Sequence, residues 1–317
     1  MGGSVPRCWA FSRQTNLAHV ATTPRSATTE PLVTQGFRRI AGRQLRRLRR
    51  GLVRLNHEAV LETLRSFGPF NAPTLMVHSS LSACGYIVDG SAPVIDALRE
   101  WIGDHTLVLP THTYCYPDAH GNVPVYDACS TPSVVGRITD DFWRQPGTVR
   151  SVHPTHSLAA SGPDASAICT DHELCDTPCG KGTPYERLVH QDSATLMFGV
   201  SMNAYTFFHT AEDAAALPFL YEQRPYSLRY RDSAGGIHIL NMWRHNMQIA
   251  RRFAETRDWL EARGLLVSRP LGLGELLYLP HAAEVHAALL EKLKRDPFFL
   301  VNEVAHSLLL ERRALNS

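Results

Sequence analysis

Thr74-Leu75-Met76-Val77-His78-Ser79-Ser80-Leu81-Ser82-Ala83-Cys84-Gly85 opens on an apolar run, Thr74–His78, that is too short for a helix and lacks polar alternation. Such a run reads as a strand buried on both faces, followed here by a serine-rich turn. Thr106–Pro110 and Ala194–Val200 repeat the pattern. Helical segments alternate with these strands. Val94–Trp101 follows the first, and Ser130-Thr131-Pro132 supplies a capping hydroxyl and an early proline for a helix reaching about Arg144. Further helices are expected near 209–216, 246–263 and 281–295. From Asn56 onward the pattern is compact α/β, with no internal repeat and no second linker.

The chain has 317 residues, 44% hydrophobic and 20% charged, which excludes wholesale disorder, collagen-like repeats and coiled coil. No apolar stretch is long enough to span a membrane. The net charge of +2 is unevenly spread: residues 1–55 hold eleven Arg and one acid, Glu30, for +10, whereas residues 56–317 carry −8. Seven cysteines form no CxxC pair, and no apolar signal segment is evident, so a reduced cytoplasm is the expected compartment. His172, Cys175 and Cys179 lack the paired spacing of a structural zinc site, and no metal is expected.

Residues 1–36 carry Ser, Thr, Pro and Arg without hydrophobic periodicity, as in a disordered leader, an over-long start or an organelle transit peptide. Residues 37–55 then place Phe37, Ile40, Ala41, Leu45, Leu48, Leu52 and Leu55 three or four apart, with seven arginines between Arg38 and Arg50. That spacing predicts a basic amphipathic helix, suited to an anionic membrane surface or to packing on its own domain or a partner. Nucleic acid is not expected, because no base-reading motif or aromatic interleaving accompanies the arginines.

The chain has no GxSxG elbow, Walker A loop or GxGxxG. Arg269-Pro-Leu-Gly272-Leu-Gly274 fits the pyrophosphate loop of GNAT acetyltransferases, but Glu275–Leu279 reads as a strand where that loop should open a helix. The densest polar cluster is Arg150-Ser-Val-His153-Pro-Thr-His156-Ser157, whose imidazoles and hydroxyls could serve an oxyanion or form a hydrogen-bonded buried turn. In Asn203-Ala-Tyr-Thr206-Phe-Phe-His209-Thr-Ala-Glu212, His209 and Glu212 are i and i+3, so on a helix the carboxylate can orient the imidazole as a general base. The same spacing at His281 and Glu284 has the reverse order of a di-iron motif and follows Pro280.

Five blocks together resemble the aminoglycoside 3-N-acetyltransferase family, a non-GNAT group. They are Val77–Gly85 with Gly90 and Val94–Leu98; Arg150-Ser-x-His153-Pro-x-x-Ser157; His172-Glu-Leu; Gly180-x-Gly182-Thr-Pro-Tyr-Glu-Arg-Leu188; and Asn203-x-x-Thr206-x-x-His209-x-Ala-Glu212. The resemblance runs from about residue 56 to about 300 and implies a mixed sheet flanked by helices, so that residues 56–317 form the acetyltransferase domain. It implies acetyl-CoA as donor and an amino group of an amino sugar as acceptor. Ser79, Ser80, Leu81 and Ser157 are then implied to bind the coenzyme, and His209 and Glu212 to serve the acceptor amine. His153 is implied to sit near the thioester, and Asn203 and Thr206 at the same mouth. Cys84 is expected to pack as a small apolar residue rather than act as a nucleophile.

The acceptor is less determined. Aminoglycosides are polycations and suit the −8 core. Yet Arg229–Arg252, where members of the family often carry an acidic run, is rich in arginine able to grip a phosphate or carboxylate. Aminoglycoside acetylation, conferring resistance, therefore stands beside acetylation of an amino sugar in a surface-polysaccharide or nucleotide-sugar pathway at the inner membrane. A non-catalytic binding protein on the same scaffold is disfavoured by the intact His209 and Glu212.

The basic stretch makes its own prediction. Seven arginines at about 1 kcal/mol each near an anionic surface should bring the full chain down with anionic vesicles, and high salt should weaken that binding. A chain lacking the stretch should lose vesicle binding; a full-length protein that ignores vesicles would show that its leucines pack on protein.

Overall fold

The structure is a computed structural model and describes residues 52–305 and Ser307; the leader and the greater part of the basic stretch lie outside the described residues. No described helix is long and apolar enough to cross a membrane. Three strands that begin the argument lie side by side at the centre of a seven-stranded sheet. β4 (Thr106–Pro110), β2 (Thr74–Ser79) and β8 (Ala194–Phe198) are mutually parallel, with β2 in the middle. Antiparallel hairpin strands complete both sides: β7 (Leu158–Ser161) and β6 (Val149–Arg150) beyond β4, and β12 (Gly274–Leu279) and β11 (Val267–Leu271) beyond β8.

Strand alternation splits the core in two. Leu75, Val77, Leu107, Leu109, Leu196 and Phe198 face helices His57–Arg65 and Ala92–Ile102, whereas Met76, Val108 and Met197 face helices Pro184–His190, Phe207–Ala214 and Ala282–Arg295. Both faces of the central strands are thus covered, which is why their sequences are apolar throughout. The chain passes from β2 to β4 through helix Ala92–Ile102 on one face and enters β8, on the other side of β2, from helix Pro184–His190 on the opposite face, so the carboxyl ends of these strands open a crevice of the kind where open α/β sheets bind ligands.

A smaller sheet lies beside this layer: β5 (Val125–Asp127) pairs in parallel with β9 (Tyr226–Arg231), which pairs antiparallel with β10 (Ile237–Met242) around Leu228, Leu240 and Met242. The arginine-rich segment thus folds largely as a hairpin. Three expectations are corrected. The helix expected up to Arg144 spans only Arg137–Phe142, because Ser130 and Thr131 close a turn on Asp127 and Ser133 takes the Asp140 carboxylate through its N–H. The helix expected over 246–263 is reduced to Thr256–Glu261 after a 3-10 turn, Phe253–Glu255. The end of the basic stretch is not helical either: Arg54–Leu55 form β1, parallel to β3 (Tyr86–Ile87), with Leu55 buried.

The loop resembling a GNAT motif is the tight turn between β11 and β12. Gly272 has φ +59, and a Cβ there would stand 2.1 Å from the Cys84 carbonyl oxygen, which also accepts from Leu273 N–H at 2.7 Å. Cys84 itself is fully buried against Gly199 and Gly274, and burial together with Glu275 pushes its thiol up to about 12. It packs as an apolar residue and is inert at neutral pH. Gly272→Ala should lower unfolding free energy by about 1–3 kcal/mol, combining a left-handed φ with a backbone clash. Denaturant unfolding measures it, and an unchanged midpoint would refute this account of the turn.

Candidate active site

The crevice is built from the ends of the central strands and from helix Phe207–Ala214. Ser201 caps the short 3-10 turn Met202–Ala204 by accepting from Asn203 N–H at 3.4 Å, and Thr206 then stands at the N-terminus of the eight-residue helix. Helical spacing brings His209 and Glu212 together as expected. His209 Nδ1 lies 2.7 Å from Glu212 Oε2, and Arg251 Nε donates to Glu212 Oε1 at 3.0 Å. Arg251 also reaches back to the carbonyls of Asn246 and Ile249, tying the strap after β10 to the helix. Burial pushes the fully enclosed Glu212 carboxyl up, and the bonds from His209 and Arg251 outweigh it, leaving it below the usual range. An ionised Glu212 accepts only, so the His209 proton sits on Nδ1 and the lone pair on Nε2.

Two cavities share His209, His156, Tyr114 and Phe253 as a common wall. One, about 250 Å³, contains Ser79, Asn203, Thr206 and the carboxyl ends of β2 and β4. The other, about 490 Å³, is closed by the strap and includes Tyr116, Arg244, His245 and Arg251. The His245 ring stacks on His209 with centroids 4.0 Å apart and is backed by Tyr221 at 5.3 Å.

Of the sequence-nominated residues, the structure brings His209, Glu212, Ser79, Asn203 and Thr206 to this crevice. Asn203 Oδ1 accepts from Ala254 N–H at 2.9 Å, fixing the segment that carries Phe253. Ser79 Oγ is buried without a partner. Ser80 and Leu81 sit in the turn behind it; Ser80 N–H binds the Phe198 carbonyl, and Leu81 packs on the core beneath the helices before and after β2. Ser157 donates to the Thr111 carbonyl at 2.7 Å and is fully buried.

His153 is enclosed as well and lines neither cavity: it stacks on His172 at 4.2 Å, and its Nδ1 accepts from His156 N–H at 3.0 Å. Arg150 stacks on Trp143 at 4.4 Å and binds the carbonyls of Thr111 and Thr131. This block is therefore a rigid frame whose last imidazole, His156, reaches the cavities. The Gly180–Leu188 block has the same character. Thr183 caps helix Pro184–His190, and Tyr185 on that helix bonds His112 Nε2 at 2.8 Å and donates to the His156 carbonyl at 3.1 Å. His112 and Tyr114 were not singled out from sequence and lie in no motif quoted there; Tyr185 belongs to the Gly180–Leu188 block, and Arg244, His245 and Arg251 to the arginine-rich segment, without a role in the crevice having been read for any of them. His281 pairs at the surface with Asp192 at 2.9 Å, and Glu284 is exposed, far from any arrangement of facing carboxylates.

A sequence profile of the aminoglycoside 3-N-acetyltransferase family matches residues 76–291. The chain is 31% identical over 206 residues to the aminoglycoside N(3)-acetyltransferase VIII of Streptomyces fradiae, covering 55% of this chain and 69% of that protein. It is 29% identical over 242 residues to the aminoglycoside N(3)-acetyltransferase IV of a Salmonella species, covering 75% and 87%. The solved aminoglycoside acetyltransferase AAC(3)-IVa superposes with a TM-score of 0.67 at 27% identity, over 78% of this chain and 91% of that one, and a mutant of it has been solved in complex with a gentamicin.

Burial lowers several imidazoles sharply. His78, His112 and His172 are pushed down to about 3, and His153, His156 and His245 well below the ordinary value. An unfolded imidazole protonates near pH 6.5, so below that pH the unfolded chain binds protons the folded chain refuses, and stability falls as pH falls. Each such histidine contributes a slope of up to about 1.4 kcal/mol per pH unit. Glu212, held low, acts in a separate window: its stabilisation is present above its unfolded value and lost as pH falls through its folded one. The melting temperature should therefore drop between pH 7 and 5.5 more steeply than one titrating histidine allows. A flat profile across that range would overturn the picture of a neutral histidine frame. By residue, fold and family, this chain belongs to the aminoglycoside 3-N-acetyltransferases.

Proposed function

We propose that the crevice transfers the acetyl group of acetyl-CoA to an amino group of an amino sugar, the acceptor class of which aminoglycosides are the polycationic members. The observation that carries this is His209: one imidazole, its Nδ1 fixed by Glu212, lies in the wall common to the two cavities.

The smaller cavity fits a thioester end. Ser79 Oγ is an unpartnered buried donor there, and the N-terminus of helix Phe207–Ala214 faces the same space through Thr206, so a thioester oxygen gaining charge would meet a hydroxyl and a positive helix end. Ser80, Leu81 and Ser157 are assigned to shaping this pocket through its turn and floor rather than to direct contact, and His153 to positioning His156. The acceptor amine attacks the thioester carbon as a neutral nucleophile. Its proton passes to His209 Nε2, the carbon–sulfur bond breaks, and the proton leaves with the coenzyme thiol, so no acyl-enzyme forms. Glu212 stabilises the imidazolium while His209 holds the proton. For the basic residues before Leu52 we retain contact with an anionic membrane as a proposal resting on charge alone. Its truncation test is cut before Leu52, because β1 belongs to the fold.

His209→Ala and Glu212→Gln should each lower turnover by about two to four powers of ten, the span associated with losing a general base or its orienter. Acetyl-CoA should still raise the melting temperature of both variants by mass action. His281→Ala should leave turnover near that of the unaltered chain. Full activity in His209→Ala would remove the proposed base.

A further inference from the structure

We infer that Tyr221, anchored by Asp213, is a positioning residue for the base: acting through the ring of His245, it fixes the plane of His209. This rests on the acetyl-transfer reading above and deepens it.

A hydrogen bond to one ring nitrogen fixes a point of an imidazole and leaves its plane to be set by something else. In His209 the point is Nδ1, held by Glu212. The plane is set by His245, whose ring lies within 18° of parallel to it with centroids 4.0 Å apart, while Phe253 meets His209 edge-on at 5.3 Å. His245 is poorly held by its own polar atoms, since its buried Nε2 has no hydrogen-bond partner. It sits in the strap, where a single bridge pairs it with Tyr221. Two backbone bonds flank that bridge, Asn246 N–H to the Leu220 carbonyl at 2.7 Å and Glu222 N–H to the Arg244 carbonyl at 2.9 Å. The Tyr221 ring also backs His245 at 5.3 Å, within 16° of parallel. Where Tyr221 stands therefore decides where His245 stands.

Tyr221 in turn is tied to the helix that carries the base. Its hydroxyl donates to Asp213 Oδ2, and Asp213 follows Glu212 directly on helix Phe207–Ala214. The path His209, His245, Tyr221, Asp213 begins and ends on one helix, so the stack cannot slide without breaking the hydroxyl bond. Two consecutive carboxylates thus clamp the strap at two points, Glu212 at Arg251 and Asp213 at Tyr221. Gly180 leaves the room this needs: a Cβ there would overlap the Asp213 carboxylate and the Thr177 hydroxyl. Burial keeps His245 neutral, so the stacked ring does not oppose the positive charge that His209 gains with the amine proton.

The test uses Tyr221→Phe, which keeps the ring and removes the hydroxyl, Asp213→Ala, which removes the anchor, and Asp213→Asn, which keeps an acceptor for the hydroxyl. Turnover is measured well below the melting temperature with acetyl-CoA and whichever of kanamycin A and glucosamine the unaltered chain acetylates. Tyr221→Phe and Asp213→Ala should each lower kcat by about ten- to a hundredfold, the scale of a misplaced catalytic group, with KM for acetyl-CoA unchanged. The double variant should lose no more than either single one, and Asp213→Asn should retain most of the activity. A second readout needs no turnover: in protein isotope-labelled at histidine Cε1, the His209 resonance, identified by its loss in His209→Gln, should shift in Tyr221→Phe and stay in place in Asp213→Asn. These two variants carry the test if the alanine variant fails to fold. Additive losses in the double variant, or a His209 resonance unmoved in Tyr221→Phe, would make Tyr221 a brace of the fold alone and overturn the inference. If neither acceptor is acetylated, the acetyl-transfer reading fails, and the resonance still decides whether Tyr221 sets the plane of His209.

Discussion

A carboxylate with no exposed surface is costly unless its charge is met, and Glu212 is met twice. One oxygen holds His209 and the other holds Arg251, so a single side chain fixes the tautomer of the base and the position of the strap that closes the acceptor cavity. Arg251 spends further donors on the carbonyls of Asn246 and Ile249, and that stretch of backbone has no regular secondary structure to hold it otherwise. Removing either partner would leave a buried charge unanswered. Catalytic geometry and loop closure are therefore the same constraint.

Around that ion pair stands a frame of neutral histidines. Arg150, Ser151, His153, His172 and Tyr185 make few contacts with open space and many with one another: Ser151 bonds His172 at 2.9 Å, His172 stacks beneath His153, and Tyr185 joins His112 to the His156 carbonyl. A polar wall this rigid places dipoles without adding charge. It keeps the cavity from acquiring positive charge at neutral pH, which would raise the cost of the imidazolium formed on His209.

The central strands were legible because burial on both faces leaves an unbroken apolar run, and the His209–Glu212 pair because helical spacing is a local property. The resemblance supplied the order of the blocks. What local pattern misjudged was the difference between residues that line a cavity and residues that hold the lining in place. In Arg150–Ser157 the density of imidazole and hydroxyl groups is the same for either job, and only the fold shows that His156 opens on the cavities while His153 and Ser157 face inward. The arginines of 229–252 posed the opposite difficulty. Read as a line they form one basic field, but the hairpin divides them: Arg231 lies near Asp127 at 3.7 Å, Arg252 binds the Phe299 carbonyl, and Arg251 enters the core.

The charge balance can be judged on two length scales. The chain beyond Leu55 carries −8, a field that draws cations toward the surface as a whole. Salt screens that field within about 8 Å at physiological ionic strength, whereas a group seated in a cavity interacts across low-dielectric protein and is screened far less. Selection among ligands that have already reached the crevice is therefore set by the side chains in its wall. There Glu212 is held by His209 and Arg251, and Glu222 faces Arg244 at 3.5 Å, so the nearest acids and guanidinium groups offset one another. The excess of acid over the chain beyond Leu55 thus bears on arrival, and the shape and paired polar groups of the wall on which acceptor is held long enough for His209 to take its proton.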